Sequence, residues 1–269
     1  MCILLWFPVH VFLLPYVGGQ LLTSGTVTEG QANLLVYGIG GVYMFAVLFS
    51  FLRREFDPLC DNLLYCAAKI FSGYLLMLAL NMAASYAILA LEGLIGTGTE
   101  TVENLNNDAI IELAGREQSA TQAMAVYLAP VLEEILFRGG IFCAIRGRIK
   151  NSDDDSEDKG ENTDGTDEES MDPDFGLITR IKAEAAAGKV KKRRIAAYVV
   201  SILVFSLYHI WQYALYDPHY WLYILQYIPA GYVLCRTYER TDTIWAPIFL
   251  HMLNNGMALK MLQLLQQSI

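Results

Sequence analysis

Long apolar segments separated by short polar connections are the dominant pattern along the chain. A bilayer core of roughly 30 Å requires about 20 apolar residues per helix, and seven segments approach or exceed that length. We predict spans at residues 1–22, 31–52, 62–95, 121–145, 195–216, 219–235 and 243–264. The sequence therefore predicts an all-α fold, a polytopic transmembrane helical bundle of about seven spans.

Three of the predicted spans have distinctive features. The first lacks the basic region and the small-residue cleavage site of a signal peptide, so we expect it to be retained. We expect His10 within it to act as an anchor near the membrane interface. The fifth and sixth spans are separated only by residues 216–218, which predicts a tight helical hairpin.

The net charge of −9 describes one segment rather than the whole chain. Residues 151–174 contain twelve acids and one base, and the remainder contains 16 acids and 18 bases, a net charge of +2. The acidic stretch is nearly without apolar residues, which is typical of disorder. It forms the first half of a predicted insertion, 146–194, whose Ala- and Lys-rich second half predicts a short helix at about 177–190 lying on anionic lipid.

The basic residues predict an orientation in the membrane. Cytoplasmic connections of membrane proteins are enriched in Lys and Arg. Basic residues occur at 53–54, in both flanks of the 146–194 insertion, and at 236 and 240, whereas the alternate connections contain only Arg116. With seven spans, all basic connections lie on one side. We predict a multi-pass protein of the cell membrane with a cytosolic N-terminus and an external C-terminus.

Polar and charged side chains interrupt three of the later spans. An ionisable group in mid-membrane costs about 2.5–3.5 kcal/mol on insertion scales, so such residues indicate a function. The fourth, fifth and seventh spans contain Glu133, Glu134, Arg138, His209, His251, Asn254 and Asn255. They predict a buried polar site in the C-terminal half of the chain.

Helix geometry separates the two adjacent glutamates. Glu134 and Arg138 are four residues apart and can pair on one helix face. Glu133 is rotated from Glu134 by about 100°, so it can point to a partner on another helix. Glu133 is therefore the candidate for chemistry, and the Glu134–Arg138 pair is a candidate for structural support.

The other two polar stripes have the same spacing. His209 lies four residues after Phe205, and Asn255 lies four residues after His251. At a rise of 1.5 Å per residue, Glu133, His209 and His251 lie roughly 12–21 Å from the cytosolic ends of their spans. We therefore expect the three helices to meet at a shared site.

These stripes resemble the motifs of the CAAX protease and bacteriocin-processing family, intramembrane glutamic peptidases that include the type II CAAX prenyl endopeptidases. The resemblance covers roughly residues 121–260. The family motifs E-E-x-x-x-R, F-x-x-x-H and H-x-x-x-N are matched by Glu133, Glu134 and Arg138, by Phe205 and His209, and by His251 and Asn255. On this basis the chain divides into N-terminal transmembrane helices at 1–95 and a catalytic membrane core at 121–264, which includes the 146–194 insertion.

The resemblance implies a role for each residue. Glu133 would be the general base and His209 would help to hold the attacking water, while His251 and Asn255 would form the oxyanion hole. Glu134, Arg138 and Phe205 would be supporting residues. The implied mechanism uses no metal and no cofactor, and the expected partners are the lipid bilayer and a peptide or lipidated-protein substrate, with no nucleic acid.

Two alternatives remain open on the sequence. Two histidines and two carboxylates could bind Zn²⁺ in a membrane metalloprotease, although no HExxH motif is present. The polar residues could instead belong to a non-catalytic membrane protein, either a transporter with a midplane site or an immunity-type scaffold.

Overall fold

The computed structural model describes residues 8–95, 105–147 and 173–267. Within these ranges the chain is helical and contains no β-strand, which confirms the predicted all-α class. The N-terminal helices are α1, a π-helical turn at Val9–Leu13 continued by Leu14–Thr23; α2, Glu29–Arg54; α3, Asp57–Asp61; and α4, Leu63–Ile95. The start of α2 is fixed by a capping box between Thr28 and Gln31, which satisfies two backbone donors that the first helical turn leaves open.

The C-terminal helices form the second group. They are α5, Leu105–Arg116; α6, the continuous series Gln118–Gln122, Ala123–Leu128, Ala129–Glu134, Ile135–Phe142 and Cys143–Arg146; α7, Pro173–Ala214; a 3₁₀ helix, Pro218–Tyr223; α8, Ile224–Thr241; and α9, Trp245–Gln267.

Helix α6 is irregular on both sides of the two glutamates. Its segments Ala123–Leu128 and Ile135–Phe142 are π-helical, and the backbone N–H of Ala129 donates to the carbonyl of Met124 five residues earlier. Pro130 follows directly and has no N–H, so a regular α-helical bond is missing at this point. Short π-helical stretches are often found at functional sites.

Three described helices are long and apolar enough to cross a membrane: Glu29–Arg54, Leu63–Leu94 and Ala187–Ala214, with Val9–Thr23 as a shorter apolar helix. The predicted fourth, sixth and seventh spans fall on α6, α8 and α9. Charged residues in α6 and α8, and the polar residues of α9, lower the mean hydropathy of these helices. The count of seven spans therefore stays a prediction.

Helix α7 extends beyond the predicted fifth span at its N-terminal end. The fifth helix does not begin near 195, because the segment predicted as a separate short helix continues into α7 from Pro173. This stretch is rich in Ala and Lys and has no proline after Pro173, so nothing in it stops helix propagation. The acidic stretch 151–174, for which disorder was predicted, lies outside the described ranges except for its last two residues.

The connection between α7 and α8 is longer than the predicted hairpin turn. Helix α7 ends at Ala214, and α8 begins only at Ile224, after the 3₁₀ helix. The Asp217 side chain accepts a hydrogen bond from the backbone N–H of His219, and Pro218 occupies the first position of the 3₁₀ helix. Both residues favour the start of a new helical segment, so the sixth helix covers 224–241 instead of 219–235.

Packing places α6 among the other helices. Helix α6 contacts α2, α7 and α9, while α8 packs against α4, α7 and α9. Helix α4 approaches α9 closely at Gly73, where an added Cβ would lie 2.9 Å from Leu250 Cδ2. The main hydrophobic core is formed largely by α6 to α9, so the glutamates of α6 lie inside the bundle.

Candidate active site

Three charged residues in the middle of α6 are buried. The exposed fraction is 6% for Glu133 and 0% for both Glu134 and Arg138. Burial of unpaired charge is costly, so each group requires partners. The two glutamates obtain theirs from different sets of neighbours.

Glu133 faces the histidines of two other helices. Its Oε2 lies 3.6 Å from His209 Nε2 on α7 and 3.9 Å from His251 Nε2 on α9. Within the described part of the chain, Oε2 makes no hydrogen bond. The structure thus brings together three residues that the sequence placed on separate helices.

The ring of His209 is held by its own helix and by α8. Its Nδ1 lies 2.8 Å from the carbonyl oxygen of Phe205, and because a carbonyl can only accept, Nδ1 carries the proton. In the neutral imidazole, Nε2 is then an acceptor. The ring stacks on Tyr227, with centroids 4.6 Å apart, so Nε2 is fixed towards Glu133.

Glu134 connects Arg138 to His251. Its Oε1 accepts from Arg138 Nη1 at 2.8 Å and lies 2.8 Å from His251 Nδ1. Arg138 also donates from Nη2 to the carbonyl of Gly231 at 3.2 Å, and its guanidinium lies 4.6 Å from the centroid of the Phe205 ring. The sequence identified the pairing of Glu134 with Arg138. It missed the bond to His251, because no local pattern indicates a contact 117 residues away.

Asn255 bonds to α6 rather than to Glu133. Its Nδ2 donates to the carbonyl of Ala125 at 3.0 Å, and its Oδ1 accepts from Asn254 Nδ2 at 3.3 Å. Ala125 belongs to the first π-helical segment of α6. Asn255 therefore ties α9 to α6 next to the site.

The site opens into a cavity of about 760 Å³. Glu133, His209, His251 and Asn255 all line it. A volume of this size is typical of a ligand pocket. Glu133 thus borders this space, and its Oε2 is buried at the edge of it.

The N-terminal helices contribute walls that the motif pattern did not identify. Tyr37, Tyr74 and Asn81 line the cavity together with His10. His10 is not an interfacial anchor, as the sequence suggested: it is 4% exposed, and its ring packs edge-on against Tyr37 at 5.2 Å. Histidine is amphipathic and suits both a membrane interface and a buried position, so the residue type alone could not distinguish the two.

The sequence left a zinc site open as an alternative. No group of three or more His, Cys, Asp or Glu residues in the described ranges is arranged to hold a metal ion. The nitrogen of His251 that is closest to a carboxylate is Nδ1, which is bonded to Glu134.

Comparison with known proteins identifies one family. Residues 117–257 match the sequence model of the type II CAAX prenyl endopeptidase Rce1-like family, which is just over half of the 269 residues. The match includes every motif residue of α6, α7 and α9 and leaves α1 to α4 outside it. No curated protein matches the chain, and no solved structure matches it.

Proposed function

The chain belongs to the type II CAAX prenyl endopeptidase Rce1-like family, and from that premise we propose that it is a glutamate-dependent intramembrane endopeptidase. The family and the apolar helices make it an integral membrane protease of the CAAX type. The substrate would be a membrane-associated or lipidated peptide. The observation that carries the proposal is the convergence of His209 and His251 on Glu133 Oε2, at 3.6 and 3.9 Å.

The first step is activation of water. Glu133 and the Nε2 of neutral His209 are both acceptors, so one water can donate a hydrogen to each of them. The water oxygen attacks the scissile carbonyl carbon while Glu133 takes its proton. The result is a tetrahedral intermediate with a negative oxygen, and Glu133 then transfers the proton to the leaving amine nitrogen as the C–N bond breaks.

Two side chains of α9 would stabilise the negative oxygen. Nδ1 of His251 donates to the Glu134 carboxylate, so donation from Nε2 to the oxyanion requires a proton on both ring nitrogens. The Glu134 carboxylate would stabilise that cationic ring. Glu134 and Arg138 would keep this imidazole oriented. Asn255 has a second amide hydrogen beyond the one donated to Ala125, and this hydrogen is available to the same oxygen.

The proposal is tested with Glu133→Gln in purified, reconstituted protein. Cleavage of a prenylated peptide ending in a CAAX sequence should fall by about 10²–10⁴-fold, the usual contribution of a general base. Glu112→Gln is the matched control, because Glu112 is exposed on α5 and should retain full activity. Undiminished cleavage by folded Glu133→Gln would refute the glutamate mechanism.

Two further treatments separate the alternatives. Chelation followed by Zn²⁺ addition should leave the rate unchanged, and loss with recovery on Zn²⁺ would establish a metalloprotease instead. A cellular phenotype that survives both Glu133→Gln and His209→Ala would assign that phenotype to a binding or transport function. Comparing the prenylated peptide with its unmodified form then determines whether the lipid is required.

A further inference from the structure

Two tyrosines form a wall of the catalytic cavity that no motif includes. Tyr37 comes from α2 and Tyr208 from α7, and both line the cavity together with Glu133, His209 and His251. Their side chains hydrogen-bond to each other, and both lie near the Glu133 carboxylate. Tyr37 lies outside the residues that match the family.

Packing fixes both rings. Tyr208 packs edge-on against His209 at 5.4 Å and against Phe137 at 5.6 Å. Tyr37 packs edge-on against His10 at 5.2 Å, and it also contacts the apolar cluster that contains Ala125. Tyrosines held in this way lose little further entropy when they form a bond in the transition state.

The pair can supply a proton donor to the cavity. Two phenol hydroxyls carry two protons, and the hydrogen bond between them uses one. Phenols stay protonated at neutral pH, since their reference pKa is about 10. The second O–H can therefore be donated to a negative oxygen that develops close to Glu133.

The geometry of Asn255 leaves room for such a donor. Its amide already donates to the carbonyl of Ala125 at 3.0 Å, so one of its two hydrogens is committed. Tyr37 packs against the cluster that contains this same Ala125. This cluster joins Leu113 of α5 to Met124 and Ala125 of α6. Tyr37 therefore packs against an apolar group that includes the residue to which Asn255 is bonded.

We propose that Tyr37 donates a hydrogen bond to the oxyanion of the tetrahedral intermediate and that Tyr208 is the positioning residue that holds the Tyr37 hydroxyl. This inference rests on the peptidase function proposed above. Tyr37 keeps its proton throughout, so the balance of the reaction is unchanged. The chain would then complete its oxyanion site with a residue from the N-terminal helices.

Removal of single hydroxyls tests this proposal. Tyr37→Phe should lower kcat by about 100-fold, the loss expected for one oxyanion donor, with KM unchanged. Tyr208→Phe should lower kcat by about 10-fold, and the double variant should be no slower than Tyr37→Phe, because coupled residues are not additive. In a Glu133→Gln background, Tyr37→Phe should leave the Kd for the peptide unchanged.

The control is Tyr238→Phe. Tyr238 is a buried tyrosine whose hydroxyl bonds to Cys143 Sγ at 3.0 Å and which does not line the cavity, so its removal should leave kcat within two-fold. Wild-type activity of both Tyr37→Phe and Tyr208→Phe would overturn the inference, while an inactive Glu133→Gln would still support the peptidase.

A pH profile separates donation to the oxyanion from an effect on Glu133. If Tyr37 acts on the oxyanion, Tyr37→Phe lowers kcat/KM equally across the pH range. A displaced acidic limb of the profile would show that Tyr37 acts through Glu133, and it would refute the proposed role. If Tyr37→Phe fails to fold, Tyr208→Phe supplies the test, and unchanged kcat in that variant would count against the pair.

Discussion

At the scale of single residues, Glu134 links the buried Arg138 to His251 of the candidate site. One of its oxygens accepts from Arg138 and bonds to His251 Nδ1. Neighbouring Glu133 has no hydrogen bond from Oε2 within the described ranges. The two adjacent glutamates therefore have different environments: Oε1 of Glu134 has two partners, whereas Glu133 borders the cavity.

Replacement of Arg138 should be strongly destabilising. Arg138→Met leaves the Glu134 carboxylate buried with only His251 as a partner, and breaking a buried pair in this way costs about 3–5 kcal/mol. Chemical denaturation in detergent, followed by tryptophan fluorescence, measures the loss. Arg116→Met is the control, because Arg116 is 60% exposed and surface pairs contribute about 0–1 kcal/mol. Equal losses in the two variants would contradict the assigned role.

A second substitution distinguishes stability from activity at the same pair. Adding Glu134→Gln to Arg138→Met removes the uncompensated charge, so most of the stability should return. Activity should stay at least about 100-fold below wild type, since a small displacement of a catalytic group has that effect and His251 has lost its anionic partner. Recovery of both quantities would reduce Glu134 to a structural residue.

The sequence was sufficient for one part of this arrangement. A rotation of about 100° between successive helical residues predicted that Glu133 and Glu134 have different partners. The contact between Glu134 and His251 depends on how α6 and α9 cross, and the phenol pair depends on how α2 and α7 both pack against α6. Neither follows from spacing within one helix.

At the scale of helices, the irregular backbone segments are the features that hydropathy did not predict. The π-helical segments of α6 change the register of the helix around Pro130, and the 3₁₀ helix after Ala214 delays the start of α8. Hydropathy defines apolar stretches well, but it does not reveal which backbone hydrogen-bond pattern continues through them. The predicted fourth span, 121–145, agrees with α6 to within three residues at each end, whereas the predicted sixth span, 219–235, differs from α8 at both ends.

Close packing between α7 and α8 predicts sensitivity at Gly231. A Cβ at this position would lie 3.3 Å from Ile202 Cα and 3.4 Å from Phe205 Cδ1, so Gly231→Ala should separate the helices slightly. Overpacking of this kind costs about 1–3 kcal/mol, and kcat should also fall because Phe205 and Arg138 move. Gly93→Ala, where no atom lies within 4 Å, should have no such effect. Measurement of the melting temperature and of kcat for Gly231→Ala and Gly93→Ala tests this prediction.

Helix α2 is tied to the turn between α8 and α9 through Glu55, which predicts a dependence on pH. The Glu55 carboxylate accepts from the backbone N–H of Ile244 at 2.9 Å. Burial, assisted by Asp242, raises the pKa of Glu55 to about 7. The folded state therefore binds this proton more tightly than the unfolded state, and stability falls as pH rises from about 4.5 through 7.

Substitution by glutamine should remove that dependence. Glu55→Gln keeps an acceptor for Ile244 but does not ionise, so its melting temperature should decline by a few degrees less than that of wild type between pH 5 and 8. Glu112→Gln, on an exposed part of α5, should follow the wild-type curve. If the melting temperatures of wild type and Glu55→Gln change in parallel with pH, the Glu55 proton does not contribute to the pH dependence of stability.

At the scale of the whole molecule, the motif residues and the residues that line the cavity cover different parts of the chain. The motifs lie within residues 117–257, whereas the cavity is also lined by α1, α2 and α4. Motif spacing predicted the first set because those residues are costly in a membrane. It could not predict the second, because tyrosine and glycine are ordinary residues in apolar helices. The N-terminal helices therefore line the cavity without a motif that indicates it.

The number of spans and the orientation predict which face of the membrane each connection occupies. Cys60 is exposed in α3, between α2 and α4, and the adjacent Arg53 and Arg54 predict that this connection is cytosolic. In a variant that retains only Cys60, a membrane-impermeant maleimide should label the protein after permeabilisation but not in intact cells. An epitope added after residue 269 should bind its antibody without permeabilisation, because seven spans place the two positions on opposite faces. Detection of both positions on one face would mean that an even number of spans separates them, which contradicts the count. Detection of each position on the face opposite to the predicted one would reverse the orientation and preserve the count.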